Sequence, residues 1–218
     1  TLLIDTRRHG GTYSESLIPE HHEEDHLEEP IGLLEFIKKY KRFIVLLAGV
    51  SLLFVFHTIT NSYMFQILHP LGGTEANVGS SLSVAALSEL PTMFFFSWLL
   101  RRFKIHSLMR VAAFFFSVKA LLILFAGSIF LINVAQSLQM VGFAMHTMAS
   151  VYYTNQIIPQ KDLVKGQTLM ATANTMGGII GAFVGGQMLS FLSVSAMLLI
   201  GTMISIAGTL IVWLAVEK

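Results

Sequence analysis

The sequence predicts an all-α membrane protein with six transmembrane helices, and three observations carry that reading. Hydrophobic residues make up 54% of the chain and charged residues only 12%, against roughly 25% charged in an ordinary soluble domain. Six stretches reach the length of about 20 helical residues needed to cross a hydrocarbon core about 30 Å thick. Each is continuously apolar rather than alternating, which favours helices over a barrel.

Taken in order, the spans are expected at Phe43 to Leu68, Val78 to Leu100, Leu108 to Ala126, Ile129 to Ile157, Gly166 to Leu189 and Val194 to Val216. The chain therefore divides into a cytoplasmic linker, 1–42, and a six-helix transmembrane bundle, 43–218. Thr1 to Glu29 is rich in Glu, His, Ser and Gly and reads as a solvated tail. Ile31 to Tyr40 (IGLLEFIKKY) sets Ile31, Leu34, Phe36 and Ile37 beside Lys38 and Lys39, the pattern of a short amphipathic helix on the inner membrane surface. No apolar signal segment precedes it, so the start at Thr1 reads as cut or processed, with the linker joined to something upstream.

The linker run His21, His22, Glu23, Glu24, Asp25 and His26 holds zinc or nickel ligand types without a fixed geometry. It reads as a solvated acidic loop, and no metal site or cofactor is expected. With no cysteine in the chain, disulfides and thiol chemistry are excluded.

Orientation follows from the basic residues. Arg7, Arg8, Lys38, Lys39, Lys41 and Arg42 precede the first span; Arg101, Arg102, Lys104 and Arg110 sit at the junction of spans two and three. Lys161 and Lys165 separate spans four and five, and Lys218 follows the last. Thirteen of the fourteen Lys and Arg thus fall on one side, which the positive-inside bias makes cytoplasmic, together with both ends of the chain. The expected location is a plasma membrane, of the bacterial inner type, crossed several times.

Lys119 is the remaining basic residue, and Glu89 is its acidic counterpart in span two. A charge at the bilayer centre costs on the order of 3 kcal/mol or more, so it faces a cavity, a partner or a transported ion. Glu89 lies eleven residues from Leu100, Lys119 eleven from Leu108, and His146 eleven from Ile157. At about 1.5 Å per residue all three are expected about 16 Å from the cytoplasmic surface, in one plane. That plane admits two roles. Glu89 and Lys119 form a buried ion pair that fixes helix register, or the carboxylate titrates as part of a proton relay.

Uncharged polar groups accumulate at similar depth. His57 and Asn61 share a face of span one, with Tyr63 and Gln66 beyond them. Span four carries Asn133, Gln136 and Gln139, then Tyr152, Tyr153 and Asn155; span five carries Gln167, Thr172, Asn174 and Thr175. Singly these read as interhelical hydrogen bonds, and together as the wall of a hydrophilic cavity. Gly177, Gly181 and Gly185 recur every four residues, a small-residue stripe for close helix packing. Pro91, two residues after Glu89, is expected to bend or unwind span two. There is no phosphate-binding loop, nucleophile elbow or HExxH pattern, so the chain does not read as an enzyme. Nothing points to nucleic acid.

With these residues in place, the chain resembles the C-terminal six-helix half of a major facilitator superfamily transporter, in the group of lactose permease and oligosaccharide:proton symporters. The resemblance rests on SELPTMFFFSWLL from Ser88, FFFSVKALLILFA from Phe114 and YYTNQIIPQKDLVKGQTLMA from Tyr152. It implies that Glu89 stands at a sugar-binding glutamate and Lys119 at an arginine of the proton-coupling site. His146 matches the histidine of the fourth helix in that group, but Met145 and Ala149 beside it supply no carboxylate, and the group's aspartate and lysine pair corresponds to His57 and Asn174. The loop LLRRFKIHSLM keeps only the basic character of the superfamily's signature loop.

The resemblance implies two halves rocking about a midplane site, an amino-terminal half supplying the other wall. The function expected is secondary active transport of a small polar organic solute, with sugars and oligosaccharides as candidates, by proton symport. Substrate binding is expected at Glu89, His57, Asn61 and Asn174, and proton coupling at Glu89, Lys119 and His146. The partners are the lipid bilayer, the substrate, protons and the other half. Two alternatives stay open: a drug or sugar efflux antiporter, and a non-transporting membrane sensor or scaffold.

Overall fold

The computed structural model describes residues 31–216, and its regular structure there is entirely helical. The His21 to His26 cluster lies outside the described residues. Six helical stretches are long and apolar enough to cross a membrane.

The short α1 (Leu33–Lys39) buries Phe36 completely, its ring 4.6 Å from Tyr40 and 6.2 Å from Phe43. Leu33, Leu34 and Ile37 remain exposed, as on a helix lying at a membrane surface. A buried carboxylate 131 residues away in sequence from Ile31 holds this segment: Asp162 accepts from the Ile31 N–H at 3.3 Å and from the Tyr40 hydroxyl at 2.9 Å, with Lys39 Nζ at 3.6 Å. Lys165 donates to the Ile31 carbonyl. Burial, reinforced by the Asp162 carboxylate, holds the Tyr40 phenol above its ordinary range, so it remains a donor.

The first span was expected to run unbroken to Leu68. Its helix α2 (Lys41–Ser62) instead ends at Tyr63 (φ −112°, ψ 26°) and resumes as α3 (Met64–Leu68). Tyr63 leaves the helical region where its hydroxyl reaches across to the Ala182 carbonyl, 2.5 Å away. Gly72, at φ 77°, then takes the left-handed conformation that closes the outer turn. Beyond it Thr74 starts α4 (Glu75–Arg102), its N–H donating to Asn77 Oδ1 at 2.9 Å.

Of the bend or unwinding expected at Pro91, the unwinding does not occur: α4 runs continuously through it. The carbonyl that Pro91 leaves without its usual helical donor is that of Leu87, which sits on the exposed face of α4. Helix α5 (Ile105–Leu124) runs back across the bundle. Ser128 then caps α6 (Ile129–Ser137), accepting from the Leu131 N–H at 3.3 Å.

The fourth span is also not one helix. It passes through a 3₁₀ turn at Leu138–Met140 and a nonhelical Gly142 (φ −76°, ψ −81°) before α7 (Phe143–Ile157). A break inside a bilayer needs its freed backbone groups satisfied, and Thr92 of α4 donates to the Met140 carbonyl at 2.7 Å. The chain closes with α8 (Leu163–Phe191) and α9 (Val194–Ala215), whose cap Ser193 accepts from the Ala196 N–H at 3.2 Å.

In the bundle α2 lies along both α8 and α9, α5 joins α9 to α7, and α4 leans on the fourth span. Gly177 and Gly181 press their backbones onto α2: a Cβ at either would strike the carbonyl oxygen of Ser51 or Val55, and one at Gly185 would strike the Tyr63 ring. The α5–α9 seam is polar inside, with Ser117 and Thr209 hydroxyls 2.7 Å apart and Thr209 donating to the Ala113 carbonyl at 2.7 Å. Apolar packing forms two clusters, an inner one around Phe43, Phe116 and Tyr153 and an outer one around Phe56, Ile123 and Ile132. Lys119 lies where they meet, between Phe116 of the first and Ala120 of the second.

Candidate functional site

Three helical elements meet at that boundary. Helix α4 brings Glu89, α5 brings Lys119, and the 3₁₀ turn of the fourth span brings Gln139. Lys119 Nζ donates to Gln139 Oε1 at 2.5 Å, and Gln139 Nε2 donates to Glu89 Oε1 at 2.8 Å. Lys119 and Gln139 are buried, 5% and 6% exposed, whereas Glu89 is half-buried. The chain of charge therefore runs from the protein interior to an open face. The direct Glu89–Lys119 ion pair weighed from the sequence is absent: an amide stands between them, accepting from the ammonium and donating to the carboxylate, so each charge keeps a charge-assisted hydrogen bond.

His146 does not join this chain. It was expected level with Glu89 and Lys119, yet the fourth-span residue that reaches both is Gln139, seven positions nearer the outer side. The fourth span is interrupted at Leu138–Gly142, ahead of His146. His146, 1% exposed, lies in an aromatic box instead, its ring 5.5 Å from Phe54 and 6.1 Å from Phe116.

The same box holds His57, stacked on Phe143 at 4.6 Å and 7° between planes. Asn61 Nδ2 lies 3.1 Å from His57 Nε2, the contact that an i, i+4 pair allows. Asn174 of α8 is a polar neighbour of His146. His146 Nε2, Asn174 Oδ1 and Asn61 Oδ1 are all buried without a hydrogen-bond partner. Three orphaned buried atoms are expensive, about 1–3 kcal/mol each, and mark a place that water or a bound polar molecule can satisfy.

The structure thus makes two groups from the residues singled out in the sequence: Glu89 with Lys119, and His57 with Asn61, Asn174 and His146. Sequence reasoning missed Gln139 as the link. Its signal was present, since a glutamine is long enough to bridge two charges and lies on the fourth span. Gln136, one helical turn outward, extends the polar edge, fully buried with neither amide atom paired. Eight residues before Glu89 on α4, Ser81 donates to Asn133 Oδ1 of α6 at 2.5 Å, a second polar contact between α4 and the fourth span.

Six apolar spans enclose a buried, charged and partly unsatisfied polar centre, which defines a multi-pass membrane protein. The chain belongs to the Major Facilitator Superfamily, whose family model matches residues 18–218. A maltose permease of Geobacillus stearothermophilus is 25% identical to it over 177 residues, which are 81% of this chain and 45% of that protein. The chain spans a little under half the length of this relative.

Proposed function

We propose that the chain supplies one six-helix half of a secondary active transporter that moves a small polar organic solute, a sugar or oligosaccharide, together with protons. The observation that carries this reading is the Glu89–Gln139–Lys119 chain, which offers a carboxylate at an open face and a counter-charge buried behind it. Glu89 accepts hydroxyl groups of the solute, with His57, Asn61 and Asn174 supplying further polar contacts. Protons enter and leave through Glu89 and His146, while Lys119 stabilises the ionised carboxylate through Gln139. The name of the maltose permease relative supports a carbohydrate as the solute. A second six-helix half forms the other wall, and both ends of the present chain face the cytoplasm of a plasma membrane.

The test is uptake by the full-length protein in proteoliposomes with an imposed pH gradient. Uphill accumulation on the acid-outside gradient is expected, abolished by Glu89→Gln and strongly reduced by His146→Ala. Accumulation unchanged in both variants would sink the coupling roles, and movement driven only by the reverse gradient would make the protein an efflux antiporter.

A further inference from the structure

Along the cytoplasmic half of α4 the structure holds two hollows, one above the other, between the same pair of helices. The deeper one is an apolar groove of about 590 Å³ lined by Pro91, Phe95, Trp98, Met140, Val141 and Met145, among others. The shallower one, about 800 Å³, begins at the next residues of α4 and is lined by Arg101, Arg102, Phe103, Lys104 and His106, with Tyr152 of α7 across from them. Met145 and Tyr152, the α7 residues of the two hollows, are seven positions apart and so share a helix face. The surface is therefore apolar for about 12 Å, the rise of the eight residues after Pro91, and basic where it meets the cytoplasm.

The basic end lacks compensation. Lys39 pairs with Asp162, Arg110 donates to the Val216 carbonyl, Lys165 donates to the Ile31 carbonyl, and Arg42 and Lys161 also have partners. Arg101, Arg102 and Lys104 make no hydrogen bond or ion pair among the described residues, where the acids are Glu35, Glu75, Glu89 and Asp162 and none lines the hollow. Lys38 and Lys41 are unpaired among the described residues too, but they flank Lys39, whose partner Asp162 supplies a carboxylate there. Three adjacent cations without a counter-charge among the described residues favour an anion. Trp98, about half exposed, is of the type that settles at the depth of lipid headgroups.

We propose that this groove binds an anionic phospholipid of the inner leaflet, its phosphate held by Arg101, Arg102 and Lys104 and one acyl chain laid along Phe95, Trp98, Met140 and Met145. Shape and charge run in the same order as in the lipid: an apolar channel below, then a cationic mouth at the surface. A soluble anion would use only the mouth and leave the channel unexplained.

Native mass spectrometry of the full-length protein, equilibrated with equal phosphatidylglycerol and phosphatidylcholine, tests this without any transport measurement. Selective retention of phosphatidylglycerol is expected. Arg101→Gln, Arg102→Gln and Lys104→Gln should each weaken it about five-fold, the worth of one basic residue near an anionic lipid. Arg101→Lys with Arg102→Lys keeps the charge and the orientation signal and should retain the preference. Met140→Trp leaves every charge in place, fills the channel and should also release the lipid. Equal retention of both lipids, retention indifferent to Met140→Trp, or displacement by inorganic phosphate alone overturns the proposal. Failure to retain either lipid also overturns it, since another part of the full-length protein then occupies the groove.

Discussion

Glu89 and Lys119 are held apart and connected at once: neither touches the other, and each is hydrogen-bonded to one end of the Gln139 amide, at 2.8 and 2.5 Å. A direct pair would hold its charges in fixed mutual attraction. An intervening amide lets the carboxylate exchange its hydrogen-bond donor while Lys119 keeps its acceptor.

Gln139→Leu should therefore lower stability, because it strands a buried ammonium and frees Glu89. The lost charge-assisted hydrogen bond is worth about 2 kcal/mol. Thermal unfolding of the purified protein in detergent should show a lower midpoint. A midpoint unmoved by Gln139→Leu would mean that Lys119 has other support.

The glycines of α8 are separable by what they face. Gly177→Ala and Gly181→Ala must push α8 away from the Ser51 and Val55 carbonyls, at about 1–3 kcal/mol each for forced overpacking. At Gly178 the nearest atom to an added Cβ is Thr58 Oγ1 at 3.4 Å, so Gly178→Ala should be close to neutral. Equal effects at Gly177 and Gly178, read from the same unfolding curves, would contradict the close α2–α8 contact.

Between α5 and α9, Thr209→Val removes the hydroxyl that contacts Ser117 and donates to the Ala113 carbonyl. Interhelical hydrogen bonds in membranes average under about 1 kcal/mol, so a loss of about 1 kcal/mol in stability is expected, with uptake kinetics unchanged. A change in substrate affinity instead would place this seam in the site.

Asp162→Ala should detach α1. Its loss leaves the Ile31 N–H and the Tyr40 hydroxyl without their acceptor, and the exposed Leu33 and Leu34 no longer hold a fixed position. Hydrogen exchange across residues 31–40 should quicken in the variant while the spans stay protected. Unchanged exchange would show that Phe36 alone anchors the segment.

The spans were legible in the sequence because lipid demands long apolar runs with their hydrogen bonds satisfied internally, and Phe43 or Val194 opens such a run in any context. The breaks were not. Nothing apolar distinguishes Leu138–Gly142 from its flanks, and that turn depends on Thr92, 48 residues earlier, to receive the Met140 carbonyl. At Pro91 the local rule allowed a bend or an unwinding, and α4 keeps its helical assignment through that position. Glu89 and Lys119 were conspicuous as charges. Gln139 was one of several glutamines, and only packing singled it out.

The Asp162 contacts have a mechanical side. A chain that enters from before Ile31 is fastened to the start of α8 first, through Asp162 and Lys165, and reaches α2 only after Tyr40. Tension arriving along that chain is therefore delivered to α8, the helix whose glycine face grips α2 and which carries Asn174 beside His146. The tether and the polar centre hang on one lever.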